Sequence, residues 1–216
     1  MSGTAATLSG GFDDPARAAA HGFRALLGAM ARPGVIEAAV GARPPAPMGA
    51  AAGLVALVLC DAGTPVWLAP DLAMSGVPDW LRFHCGAPIV ADRAHAMFAF
   101  GRAGDLLPLT DWAQGDPEYP DRSATLVLAL DAFEGAALTL TGPGIETAAH
   151  LPIGEDAAAL AAALGANRAG FPLGVDLILT AGDRLAALPR TTRAEIATEI
   201  ATEITTEIAT EIATGG

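Results

Sequence analysis

The sequence predicts a mixed α/β fold, a three-layer sandwich in which helices pack on both faces of a mixed sheet. Short apolar runs of strand length alternate along the chain with segments of helical character, which is the pattern of a sheet covered by helices. The last two runs, residues 175–180 and 185–188, flank a short polar turn that contains Gly182. Because glycine adopts positive φ without steric cost, this arrangement predicts a closing β-hairpin. Pro189, which has no N–H to donate, ends the hairpin.

The first predicted element is a helix that begins at Pro15. Asp14 is the expected N-cap, and Pro15 has the fixed φ that suits the first helical residue. Pro33 and Gly34 end the helix. Four apolar residues recur at the spacing of one helical face and are expected to face the core: Phe23, Leu26, Leu27 and Met30.

The remaining elements follow from the lengths of the apolar runs. Residues 48–60 are apolar all round and too long for a strand, so they predict a buried helix. Residues 77–84 and 155–164 are also predicted to be helical. Strands are predicted at residues 35–40, 65–68, 97–100, 125–130 and 138–141, and an extended segment at residues 89–91.

Composition excludes several classes of protein. The 216 residues suit one domain with a sizeable core. The formal net charge of −12 argues against general nucleic-acid binding, because phosphate backbones select basic surfaces. No uncharged run is long and unbroken enough to predict a membrane span, and the first residues lack the features of a signal peptide. Cys60 and Cys85 lie in apolar surroundings, which indicates buried free thiols in a cytoplasmic protein.

All 12 basic residues are arginines, so a lysine Schiff base and a P-loop lysine are excluded. The four histidines are scattered without the spacing of a metal site, and none of the four serines lies in a nucleophile elbow. The Gly142-Pro143-Gly144 sequence fails as a dinucleotide fingerprint because Thr147 stands where a third glycine is needed. We therefore predict no bound cofactor and no metal.

Three residues are the candidates for a functional site: Arg82, His84 and Arg190. Arg82 could clamp an oxyanion and His84 could shuttle a proton, or both could satisfy carbonyl groups at a helix C-terminus. Arg190 and Arg193 flank two threonines and could cradle a phosphate or carboxylate, or could cap the sheet or contact another subunit. Because Arg190 follows the last strand, its side chain is expected in solvent or in a cleft. Its substitution is expected to impair function more than folding.

Five blocks of sequence resemble one family in their order along the chain. The blocks are FRALL, AM and PGVI within residues 23–36; D and TPVWL within 61–68; LRFH and AP within 81–88; LTLTGPGI at 138–145; and FPLGVDLILTAGDRLAALPRTTR at 171–193. In these blocks the chain resembles the PhnH family of the carbon–phosphorus lyase system, which degrades organic phosphonates.

The resemblance implies a fold similar to a truncated large domain of pyridoxal-phosphate-dependent transferases, without the cofactor site. It implies membership of a core complex with PhnG, PhnI and PhnJ subunits, and a homodimer when the subunit is alone. Together with the G, I and L components, such a subunit displaces adenine from ATP by an alkylphosphonate, giving a ribose 1-phosphonate 5-triphosphate. The J subunit later breaks the C–P bond. No catalytic residue is carried over for the H subunit.

Two alternatives to this function remain open at the level of sequence. One is a stand-alone small-molecule enzyme with Arg82, His84 and Arg190 around a cleft, and the other is a scaffold that only holds its partners. Residues 1–193 are predicted to form the family domain, and residues 194–216 an acidic tail that repeats Glu-Ile-Ala/Thr-Thr. The tail is either an acidic docking helix or a mobile extension. A chain that stops after Arg193 is expected to lose no predicted core element and to keep its melting temperature and its assembly with partners.

Overall fold

The structure is a computed structural model and describes residues 8–197. The described strands are β1 (Glu37–Ala38), β2 (Val66–Leu68), β3 (Phe98–Gly101), β4 (Thr125–Ala129), β5 (Ala137–Thr141), β6 (Ala149–Pro152), β7 (Asp176–Ala181), β8 (Arg184–Leu188) and β9 (Arg193–Ile196). The described α-helices are α1 (Pro15–Ala31), α2 (Ala50–Leu59), α3 (Pro70–Ala73), α4 (Val77–His84), α5 (Ala103–Leu106) and α6 (Ala157–Ala169).

Six strands form a mixed sheet in the order β1-β8-β7-β4-β3-β2. Strands β2, β3, β4 and β7 are parallel, whereas β8 is antiparallel to both β7 and β1. The pairing of β7 with β8 confirms the predicted closing hairpin. Gly182 in its turn has φ +58°, the conformation for which glycine is favoured.

Both faces of this sheet are buried, which explains why its strands are almost continuously apolar. On β4, Val127 packs on one side with α1, α2 and α4. Its neighbours Leu126 and Leu128 pack on the other side with α6 and a second sheet. The mixed α/β class is confirmed. Likeness to a pyridoxal-phosphate-dependent transferase domain stays a prediction.

The second sheet was not predicted and has the strand order β6-β5-β9, all antiparallel. Strand β9 begins at Arg193, and Ile196 pairs with Leu138. Residues 194–196 therefore belong to a strand of the folded body, so the body extends beyond the predicted boundary at Arg193. The effect of a stop after Arg193 on melting temperature and assembly stays a prediction. The tail beyond residue 197 lies outside the described residues.

Helix α1 begins as predicted, since the Asp14 side chain accepts a hydrogen bond from the Arg17 N–H at 3.3 Å. Its inward face differs from the prediction. Leu26 is buried, but Phe23 is 47% exposed and Leu27 is 56% exposed. The inward face contains Gly22, where a Cβ would lie only 3.1 Å from Val58 Cγ2. Close packing on α2 therefore places Gly22, Leu26 and Ala29 inward and turns Phe23 and Leu27 toward solvent.

Helix α2 is buried along most of its length, as predicted, and its N-terminus is held by the hairpin turn. The Ala51 N–H donates to the Gly182 carbonyl at 2.9 Å. This bond satisfies one of the N–H groups that the first turn of a helix leaves unpaired. The turn between β7 and β8 thus sets the position of α2 above the sheet.

Other predicted elements are present with altered bounds. The strand predicted at 35–40 is reduced to Glu37–Ala38, and the helix predicted at 155–164 runs from Ala157 to Ala169. Near the end of α6, Asn167 is buried and fixes the chain entering β7: its amide donates to the Val175 carbonyl and accepts from the Val175 N–H, both at 2.9 Å. Within residues 8–197, no helix combines the length and apolar character needed to cross a membrane.

Candidate functional site

Arg82 and His84 lie in α4, whose bounds agree with the predicted helix. The Arg82 Nη1 donates to Asp79 Oδ1 at 3.1 Å, and the Arg82 side chain is 57% exposed. Arg82 and Asp79 thus form an ion pair on the helix surface, between residues one turn apart. It leaves the guanidinium open to solvent rather than directed into a pocket.

His84 is engaged by the segment that precedes α1. Its Nε2 lies 3.0 Å from the Leu8 carbonyl oxygen, which can only accept, so the proton is on Nε2. A Cβ on Gly11 would lie only 2.7 Å from His84 Nδ1. Because Gly11 has no side chain, the N-terminal segment can pass close to the imidazole ring. Trp80 Nε1 donates to the Ser9 carbonyl at 3.0 Å. His84 thus holds the N-terminal segment on α4.

Arg190 is the most heavily bonded arginine of the described chain. Its Nε and Nη2 bind the two carboxylate oxygens of Asp176 at 3.2 and 2.7 Å. Nη1 donates to the Pro120 carbonyl and Nη2 to Ser123 Oγ, both at 2.6 Å. The Arg190 side chain is only 14% exposed. The expectation that it faces solvent or a cleft is wrong, because the guanidinium ties the start of β7 to the loop before β4.

The structure does not bring the three predicted site residues together. Arg82 and His84 share α4, but none of their described contacts reaches Arg190 or its partners. Arg193, the third arginine considered, is exposed on β9. The stand-alone enzyme hypothesis requires a cleft lined by Arg82, His84 and Arg190. The described contacts of these residues do not form such a cleft.

A cleft with a volume of about 110 Å³ opens at the carboxyl ends of β3 and β4. In open α/β sheets this edge is where ligands commonly bind. The floor of the cleft is apolar, with Phe100 and Val127 from the sheet, and its charged groups are Asp71 and Arg102. The full lining is Pro47, Met48, Gly49, Ala52, Asp71, Leu72, Phe100, Gly101, Arg102, Val127 and Ala129.

Arg102 is held beside this cleft by Asp131. Its Nη2 donates to Asp131 Oδ1 at 2.8 Å. This hydrogen bond and the charge of Asp131 raise the pKa of Arg102, and Asp71 adds to the effect. The cleft can accommodate a small group with an apolar body and a polar end. Sequence reasoning missed it, although a charged residue directly after a parallel strand was a usable signal.

Both cysteines are free thiols. Cys60 is buried as predicted, whereas Cys85 is only partly buried. Burial is the main cause that raises the pKa of Cys60 far above its usual range, and burial raises the pKa of Cys85 to about 11. No group of three or more His, Cys, Asp or Glu side chains within residues 8–197 is placed to hold a metal ion.

We expect both thiols to react slowly with Ellman's reagent at pH 8 in the native protein. A thiol of pKa about 11 is ionised in only about one molecule in a thousand at pH 8, and the thiolate is the nucleophile. Because the pKa values are raised, reactivity should increase as the pH rises. The control is the denatured protein, in which both thiols should react promptly. Rapid labelling of the native protein at pH 8 would contradict the raised pKa values of these thiols.

The comparisons with known proteins identify the family. Residues 10–195 match a family model described as "Bacterial phosphonate metabolism protein (PhnH)". The chain is 43% identical over 198 residues to the alpha-D-ribose 1-methylphosphonate 5-triphosphate synthase subunit PhnH of Rhizobium meliloti, covering 90% of this chain and 99% of that protein. It is 41% identical over 83 residues to HtxG of Stutzerimonas stutzeri, which is named provisionally as a C-P lyase subunit; this match covers 38% of this chain and 43% of HtxG. The five blocks of sequence and the family match together show that the chain belongs to the PhnH family.

Proposed function

We propose that this chain is the H subunit of the complex that joins an alkylphosphonate to the ribose of ATP. A phosphonate oxygen attacks C1′ of the ribose while the C1′–N9 bond breaks, and adenine leaves with a proton. The product is a ribose 1-phosphonate 5-triphosphate. The observation that carries this proposal is the match to the Rhizobium meliloti subunit, which extends over 99% of that protein.

The chain acts within an assembly rather than alone. The partners that we propose are subunits of the PhnG, PhnI and PhnJ type, in the cytoplasm, and the isolated chain forms a homodimer. The dispersal of Arg82, His84 and Arg190 supports an assembly over a stand-alone enzyme, since four of the five guanidinium N–H groups of Arg190 already donate to residues of its own chain. The same dispersal favours a second candidate, a scaffold that touches neither nucleotide nor phosphonate.

Genetic complementation tests this proposal. A strain that lacks its own PhnH and carries this chain is expected to grow with methylphosphonate as the sole phosphorus source, whereas the strain with an empty vector is not. Growth on inorganic phosphate is the control, since it bypasses phosphonate degradation. Failure of a well-expressed chain to restore growth in a strain carrying the matching partner genes would contradict the proposed function.

A further inference from the structure

The outer face of α1 carries an apolar stripe that no described residue covers. Phe23 and Leu27 stand one turn apart and are 47% and 56% exposed. Ala16 and Ala20, also exposed, continue the stripe toward the N-terminus of the helix. Residues three and four apart lie on the same side of a helix, so these four side chains form one surface. We name this set the α1 apolar stripe.

A basic stripe runs beside it on the same helix. Arg17, His21 and Arg24 follow the same spacing and are exposed. Within residues 8–197, neither the Arg17 nor the Arg24 guanidinium makes an ion pair. Helix α1 itself contains no Asp or Glu, and Asp14, the nearest acid in sequence, is committed to the N-cap. The face is therefore locally basic on a chain whose net charge is −12.

We propose that this outer face of α1 is the docking surface for a partner subunit that presents an apolar patch bordered by Asp and Glu side chains. The inference rests on the proposed function, because it assigns a surface to the assembly proposed above. Exposed apolar side chains flanked by arginine have the composition of a binding patch, in which desolvated apolar residues and Arg carry most of the energy. The unpaired arginines make an acidic partner the complementary one.

The charges disfavour a second copy of this chain as the occupant. A two-fold interface places the same patch of both copies face to face. A two-fold interface centred on Phe23 and Leu27 would place Arg24 of one copy close to Arg24 of the other. Helix α1 has no carboxylate to compensate these two positive charges. Like charges in an interface cost affinity. A membrane surface is also a poorer fit, since only two large apolar side chains project from the helix.

The test measures binding of purified PhnG, PhnI and PhnJ type partners to this chain and to its variants by calorimetry or interferometry. Phe23→Ser combined with Leu27→Ser is expected to weaken binding at least tenfold, as loss of a central apolar anchor does. Arg24→Glu is expected to weaken binding about tenfold and to reduce its dependence on salt, whereas Arg24→Lys keeps near-normal affinity. Met74→Ser and Arg122→Glu, at exposed residues away from α1, are the matched controls.

The other possible results of this binding test contradict the inference, and each can be told apart from the others. If the wild-type chain binds its partners and the α1 variants bind equally well, the proposed function stands and the docking surface is wrong. If the wild-type chain binds none of the partners, both the proposed function and the proposed docking surface are wrong. The inference also fails if the variants lose self-association, or lose binding to vesicles of anionic phospholipid, while they keep full affinity for the partners. Melting temperatures close to that of the wild type exclude misfolding as the cause.

Discussion

Replacement of Arg190 by alanine is expected to destabilise the protein by about 3 kcal/mol, because it leaves the mostly buried Asp176 carboxylate without its cation. Asp176 is only 17% exposed and receives three hydrogen bonds from Arg190, one of them from the backbone N–H at 2.8 Å. The Pro120 carbonyl and the Ser123 hydroxyl lose their donors in the same variant. For a chain of this size, the melting temperature should fall by roughly 6–12 °C.

The matched control is Arg102→Ala, which removes an arginine from an exposed pair. Arg102 and Asp131 are 60% and 86% exposed, so their ion pair should contribute less than about 1 kcal/mol. Thermal and denaturant unfolding of both variants provides the comparison. An Arg190→Ala protein as stable as Arg102→Ala, but inactive in the assembled complex, would restore the functional role that the sequence suggested for Arg190.

Truncation after Arg193 is expected to destabilise the protein, whereas truncation after Ala197 should change its melting temperature little. The shorter chain loses the pairing of β9 with β5, including the Ala197 N–H bond to the Ala137 carbonyl at 2.9 Å, and the packing of β9 against α6. Lost ladder hydrogen bonds at about 1 kcal/mol each predict a deficit of roughly 2–4 kcal/mol. The longer chain retains every described strand.

Melting temperatures of the full chain and the two truncated chains check this expectation. Equal stability of the chain that stops after Arg193 would show that β9 contributes nothing to the fold. A large loss of stability in the chain that stops after Ala197 would show that the acidic repeat supports the folded body, against its assignment as a separate tail.

The sequence predicts elements best where local chemistry determines them. Helix α4 agrees with its predicted bounds, and the β7–β8 hairpin agrees closely because Gly182 supplies the turn. Strand β6 was missed because it has four residues and ends in Pro152. Strand β9 was missed because its Glu195-Ile196 pair is the first copy of the Glu-Ile repeat that follows. Its strand conformation depends on pairing with β5, which is a tertiary interaction.

The candidate site was less predictable than the fold. The structural role of Arg190 depends on Asp176, which lies fourteen residues earlier in the chain. A usable signal did exist, since a carboxylate within the apolar run of a buried strand requires a partner. The exposure of Phe23 and Leu27 could not be read from periodicity, because α1 is apolar around most of its circumference. Only its packing through Gly22 on α2 selects the inward face.

The most direct test of the proposed function is adenine release from ATP and methylphosphonate in a reconstituted mixture. With the G, I and L components present, addition of this chain should produce adenine in stoichiometry with a ribose 1-phosphonate 5-triphosphate. The chain alone should release none, and the components without it should release little. Full release without this chain, or robust release by the chain alone, would contradict its role as an obligatory subunit.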